Sequence, residues 1–94
     1  MARLSDAQVE AGLARLPGGR REGDAVVKQF AFEGFADAGA ALVRLAFEAE
    51  AADHHPDVSL SYRRLVVAYT THSAGGLTQK DLDGAMAAER LLAR

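Results

Sequence analysis

The chain of 94 residues contains no cysteine. That absence excludes disulfides, thiolate nucleophiles, sulfur redox chemistry and Cys-type zinc sites together. A long apolar run is also missing. Met1-Ala-Arg-Leu-Ser-Asp leads straight into a polar helical pattern, with neither the core of a secretion signal nor a membrane span, so a cytoplasmic protein without membrane contact is expected. Charge of one sign is not in excess either. The formal net charge is −2 and the lysines and arginines are scattered, which leaves no basic surface for phosphate backbones and argues against direct nucleic-acid binding.

What is present is apolar residue content of 49%. In a chain this short it supplies one compact core, and a single domain over residues 1–94 is expected. So small a domain without disulfides gains stability by burying a sheet edge or helix face against a second copy, so a homo-oligomer, dimer or tetramer, is expected.

Local signals give the order of elements. Ser5 and Gln8 form a capping-box pattern with Leu4 and Val9 as its staple, so a helix begins at Ser5 and carries Val9, Leu13 and Leu16 on one face. Pro17-Gly18-Gly19 ends it, and a strand follows from about Gly19. Glu22-Gly23-Asp24 reads as a tight turn, after which Val26, Phe30 and Phe32 alternate with Val27, Gln29 and Glu33 as in a half-buried strand. From Phe35 to about Asp53 the period lengthens. Phe35, Ala38, Leu42, Leu45, Ala46 and Ala49 recur at helical steps, with Arg44, Glu48 and Glu50 among them.

His54-His55-Pro56 closes that helix, because a residue before proline is pushed out of the helical region. Val58, Leu60 and Tyr62, then Leu65, Val67 and Tyr69, suggest a second hairpin turning at Arg63-Arg64. Beyond His72 and the Ser73-Ala74-Gly75-Gly76 connection, Thr78 and Asp81 make a second capping box stapled by Leu77 and Leu82. The last helix carries Leu82, Ala85, Met86 and Leu92. The order α-β-β-α-β-β-α, two hairpins separated by a helix, predicts an α+β fold in which a four-stranded antiparallel sheet has three helices packed on one face.

All three histidines, His54, His55 and His72, fall at element boundaries, where loops place side chains in clefts. Imidazole suits proton transfer near neutral pH, and a pair in different environments can supply an acid and a base. Glu50 stands four positions before His54, a helical spacing that would let it orient that imidazole; a solvated helix-end glutamate is the plainer reading. Asp81 has a structural task as a helix cap, and from there a carboxylate also bears on the His72 loop. A three-histidine metal site is disfavoured. Adjacent side chains such as His54 and His55 diverge in extended chain, and no HxH or HExxH spacing is present. Gly75-Gly76 lacks the spacing of a phosphate-binding loop.

Taken together, Glu50, His54-His55-Pro56, Tyr62, Thr71-His72, Gly75-Gly76-Leu77-Thr78 and Asp81, with the stretch Phe30-Ala-Phe32-Glu-Gly-Phe35, resemble the pterin-4a-carbinolamine dehydratases over nearly the whole chain. The resemblance implies the same α-β-β-α-β-β-α order and a lyase that dehydrates a 4a-hydroxytetrahydropterin to the quinonoid dihydropterin, with no cofactor and no metal. It implies that His54 and His72 exchange protons with the substrate, that His55 holds the pterin, and that Glu50 and Asp81 support them. By the same likeness Asp53, Thr70, Thr71 and Ser73 flank the histidines as substrate contacts. One departure stands out: members commonly carry a tryptophan where this chain has Gly19, so a wall of the pterin pocket is expected to be missing. Relatives that act as protein partners, a transcription-factor dimerisation cofactor and a Rubisco assembly factor, make a non-catalytic binding or assembly module with a protein partner the alternative.

Overall fold

The computed structural model describes residues 2–93. Helix α1 (Asp6–Leu13) starts where the capping box puts it. The Ser5 hydroxyl accepts from the Gln8 amide at 3.1 Å and the Gln8 side chain accepts from the Ser5 amide at 2.8 Å, so two otherwise orphaned N–H groups are satisfied reciprocally. Val9 and Leu16 are buried and Leu13 packs partly against them.

Strands β1 (Arg20–Glu22) and β2 (Ala25–Ala31) form the first hairpin, and Glu22 pairs with Ala25 across the turn. Strands β3 (Asp57–Ser61) and β4 (Arg64–Tyr69) form the second. The four strands are antiparallel in the order β1-β2-β4-β3, so the two hairpins join through β2 and β4. This second hairpin turns one residue earlier than the Arg63-Arg64 expected. Ser61 pairs with Arg64, leaving Tyr62 and Arg63 as a two-residue loop, with Tyr62 at φ 54°. A two-residue hairpin loop needs positive φ to follow the strand twist, and Tyr62 supplies it although the residue type does not advertise it.

Helix α2 (Phe35–Ala52) and helix α3 (Gln79–Leu92) cover the same sheet face as α1. Val9 from α1, Ala38, Ala41 and Leu45 from α2, and Leu82, Ala85, Ala88 and Leu92 from α3 share one core with Val26, Phe30, Leu65, Val67 and Tyr69. Val27, expected to face outward, is buried but lies outside that core, on the other side of β2. The inward stripe of α2 is also narrower than its period suggests: Ala38, Ala41, Leu45 and Ala49 are buried, whereas Phe35 and Ala46 are exposed. Phe35 is the first helical residue, and helical side chains lean towards the N-terminus, so its ring projects past the helix start. Val43 and Phe47 (75% exposed), further along α2, are also open. Among the described residues no helix is long and apolar enough to cross a membrane.

Candidate active site

The end of α2 determines what the histidines can touch. Asp53 adopts the left-handed conformation (φ 52°, ψ 41°), its amide donates to the Glu50 carbonyl and the His54 amide donates to the Ala49 carbonyl, both at 3.2 Å. This is a Schellman motif, reached through an aspartate instead of the usual glycine. It stops the helix three residues ahead of Pro56, and the chain reversal sends the two histidines to opposite sides of α2.

His54 turns towards α3. Its Nε2 lies 2.6 Å from Oδ1 of Asp81, and the Asp81 side chain is fully buried. The second carboxylate oxygen, Oδ2, accepts from the Thr71 hydroxyl at 2.8 Å and from the Thr78 amide at 2.9 Å. A buried carboxylate requires such donors, and here every partner that can be assigned donates to it. With the Thr71 proton spent on Asp81, the 2.9 Å bond between the two threonine hydroxyls must run from Thr78 to Thr71. The same logic assigns the proton on His54 to Nε2, leaving Nδ1 as the free ring nitrogen. The expected Thr78–Asp81 capping box is formed, and the same side chain bonds the His54 imidazole.

Glu50 has a different partner from the one its spacing suggested. Its Oε1 accepts from Nε2 of His55 at 2.5 Å, across an exposed pair. The left-handed Asp53 rotates His54 away from the Glu50 side of the helix and brings His55 under it. The adjacent imidazoles thus face different grooves. His54 lines one between α2 and α3 with Glu48, Lys80, Asp83, Gly84 and Arg90, about 280 Å³ in volume. His55 lines another with Leu42, Ala46, Ala49, Pro56 and Val58. A volume near 300 Å³ is at the small end for a ligand site.

His72 opens the 3-10 turn His72–Ala74, is exposed, and its imidazole makes no hydrogen bond or ion pair among the described residues. Its backbone is pinned nonetheless: Thr71 bridges to Gly76, and Arg3 donates to the Gly75 carbonyl at 3.4 Å. Because Thr71 bonds Asp81 and Asp81 bonds His54, the loop bearing His72 is tied through one residue to the His54 network. Thr71 itself is committed to that network, while the side chains of Asp53, Thr70 and Ser73 make no hydrogen bonds among the described residues. No group of three or more His, Asp or Glu is placed to hold a metal ion among the described residues.

Two side chains that the sequence marks for other tasks border the His54–Asp81 pair. Thr78 reads only as a cap, yet its amide and hydroxyl bond Asp81 and Thr71. Tyr69 reads only as strand core, yet its ring stacks on His54 at 5.9 Å between centroids and 25° between planes. Its hydroxyl and Oε2 of Glu48 are buried without a hydrogen-bond partner among the described residues. Burial and, to a lesser extent, the nearby Glu48 carboxylate push the Tyr69 phenol well above its ordinary value. The only advance signal was alternation, which puts Tyr69 on the buried face where a phenol must still be accommodated.

Gly19, where an aromatic wall was expected, is closed by the chain itself. A Cβ there would lie 2.4 Å from Cδ2 of Leu16, a buried side chain that already fills the space.

The class these features define is a small α+β domain in which an imidazole beyond the end of the central helix meets a buried carboxylate at the start of α3. The chain matches the model of the pterin 4 alpha carbinolamine dehydratase family over residues 2–91 and belongs to that family. Relatives named provisionally as pterin-4-alpha-carbinolamine dehydratases include one from Roseiflexus sp. (strain RS-1), 49% identical over 81 residues and covering 86% of this chain and 87% of that protein. A second, from Chloroflexus aurantiacus, is 42% identical over 92 residues, covering 98% of this chain and 99% of that protein. Among solved structures, a transcriptional coactivator/pterin dehydratase from Brucella melitensis superposes with a TM-score of 0.91 at 29% identity, covering 97% of this chain and 99% of the other. A pterin dehydratase-like protein described as a RuBisCO assembly factor shares the fold with a TM-score of 0.65 at 20% identity, over 78% of this chain and 84% of its own.

Proposed function

We propose that this protein dehydrates a 4a-hydroxytetrahydropterin to the quinonoid dihydropterin, and that the Asp81-oriented imidazole of His54 is its principal proton-transfer group. The carrying observation is the 2.6 Å bond from His54 Nε2 to a fully buried carboxylate, which leaves Nδ1 as the ring position that exchanges protons with a substrate. In this reading a protonated imidazole donates to the 4a-hydroxyl, the C4a–O bond breaks, and water leaves. The lone pair of the adjacent ring nitrogen forms the new C=N bond, and the cation then loses a proton from ring nitrogen to the second histidine, His72. His55, steadied by Glu50, holds the pterin, and Asp53, Thr70, Thr71 and Ser73 border it, Thr71 through its backbone because its hydroxyl is engaged. Asp81 acts by fixing the His54 ring and stabilising its charged form.

The test is the spectroscopic rate of 4a-hydroxytetrahydropterin dehydration. Purified protein is expected to exceed the uncatalysed rate by at least about a hundredfold, and His72→Ala to lose most of that advantage. A wild-type rate at background, unchanged in His72→Ala, sinks the proposal. The second reading, a non-catalytic binding or assembly module, is favoured by Gly19, since Leu16 and not an aromatic ring fills that part of the surface. It predicts a background rate from a fully folded protein, so one assay separates the two.

A further inference from the structure

Tyr69 carries a stacked contact to His54 that neither the capping network nor the proposed chemistry uses, and the fold makes specific room for it. Gly84 of α3 faces the ring. A Cβ at that position would lie 2.6 Å from Cε1 and 2.8 Å from Cδ1 of Tyr69, so even alanine would force the ring to move. Tyr69 is 1% exposed and Gly84 is buried, so the ring is confined between helix α3 and the imidazole. Asp81 fixes one atom of the His54 ring through a single hydrogen bond, about which an imidazole can still tilt. A stacked aromatic face removes that remaining freedom.

We propose that Tyr69, seated by Gly84, is a positioning residue that sets the plane of the His54 imidazole while Asp81 sets its edge. The aromatic face performs this task, and the hydroxyl does not: that hydroxyl has no hydrogen-bond partner among the described residues. The consequence for turnover rests on the dehydratase reading above. The consequence for the ring does not.

The experiment follows the His54 Nε2 proton by NMR, alongside dehydration kinetics, in wild type, Tyr69→Phe, Tyr69→Leu and Gly84→Ala. In wild type the proton shared with Asp81 gives a protected downfield resonance. Tyr69→Leu keeps an apolar filling but removes the face; it is expected to lose that resonance and to lower kcat about tenfold with KM within about twofold, as expected for a misaligned group. Tyr69→Phe is expected to restore both. Gly84→Ala, which displaces the ring without deleting it, should behave like Tyr69→Leu and carries the test if Tyr69→Leu does not fold. Retention of the resonance in Tyr69→Leu or, where that variant does not fold, in Gly84→Ala overturns the proposal whatever the rate does, as does its loss in folded Tyr69→Phe. If wild type proves inactive on the pterin but the resonance follows this pattern, the dehydratase reading fails and the positioning role stands.

Discussion

At the scale of single residues, the surroundings of Tyr69 alter its chemistry. The folded state holds its phenol above the ordinary value of 10.0, chiefly by burial and secondarily through Glu48. In the unfolded chain it ionises near that ordinary value. The sign follows directly: below about pH 10 both states keep the proton and this group adds no pH dependence, and above it only the unfolded state releases the proton, so stability falls as pH rises. Tyr69→Phe should therefore lose less stability than wild type between about pH 9 and 11 in urea titrations. Parallel curves for the two proteins would contradict the buried-phenol account. At neutral pH the same variant should be as stable as wild type, or more so, because it deletes a buried hydroxyl without a hydrogen-bond partner among the described residues. His54 and Asp81 illustrate the limit of residue-level reading. They stand 27 positions apart, and nothing local in either neighbourhood predicts that they meet.

At the scale of elements, most of the fold was legible because its signals are local. Both capping boxes form, at Ser5–Gln8 and at Thr78–Asp81, and both expected hairpins form. What was misread is equally physical. The Tyr62-Arg63 turn is enforced by strand register, which a tyrosine at positive φ does not signal. The helical period puts the end of α2 near Asp53, where it falls, but the left-handed Asp53 makes the stop instead of Pro56, and that reversal gives Glu50 to His55 instead of His54. Helix α3 depends on a cap that is also part of the site. Thr78 is fully buried and its hydroxyl donates to Thr71. Thr78→Ala should cost about 1–2 kcal/mol in urea unfolding, with Thr78→Ser recovering most of it. A variant as stable as wild type, or a serine no better than alanine, would show that the cap is not what holds this helix start.

At the scale of the whole molecule, the sheet and helices are a means of bringing a carboxylate from the start of α3 to an imidazole at the end of α2, over a strand, β4, whose last residue supplies the stacking ring. The sequence offers the histidines and acids as candidates without their pairing, because pairing is a property of how α2 and α3 pack. It also marked Gly19 as a departure without revealing its cause, the Leu16 side chain lying across that position. The central claim is that His54 and Asp81 act as one unit. An asparagine at position 81 can present its amide N–H to Nε2, which favours the tautomer with the proton on Nδ1 and removes the free base from the groove. The direct measurement is a double-mutant cycle on the dehydration rate, using His54→Gln, Asp81→Asn and the double variant, each verified as folded. Each single change is expected to lower kcat/KM by about a hundredfold, and the double variant to be no worse than the poorer single, because partners that act together are lost together. Wild-type activity in Asp81→Asn, or losses that multiply in the double variant, would contradict it.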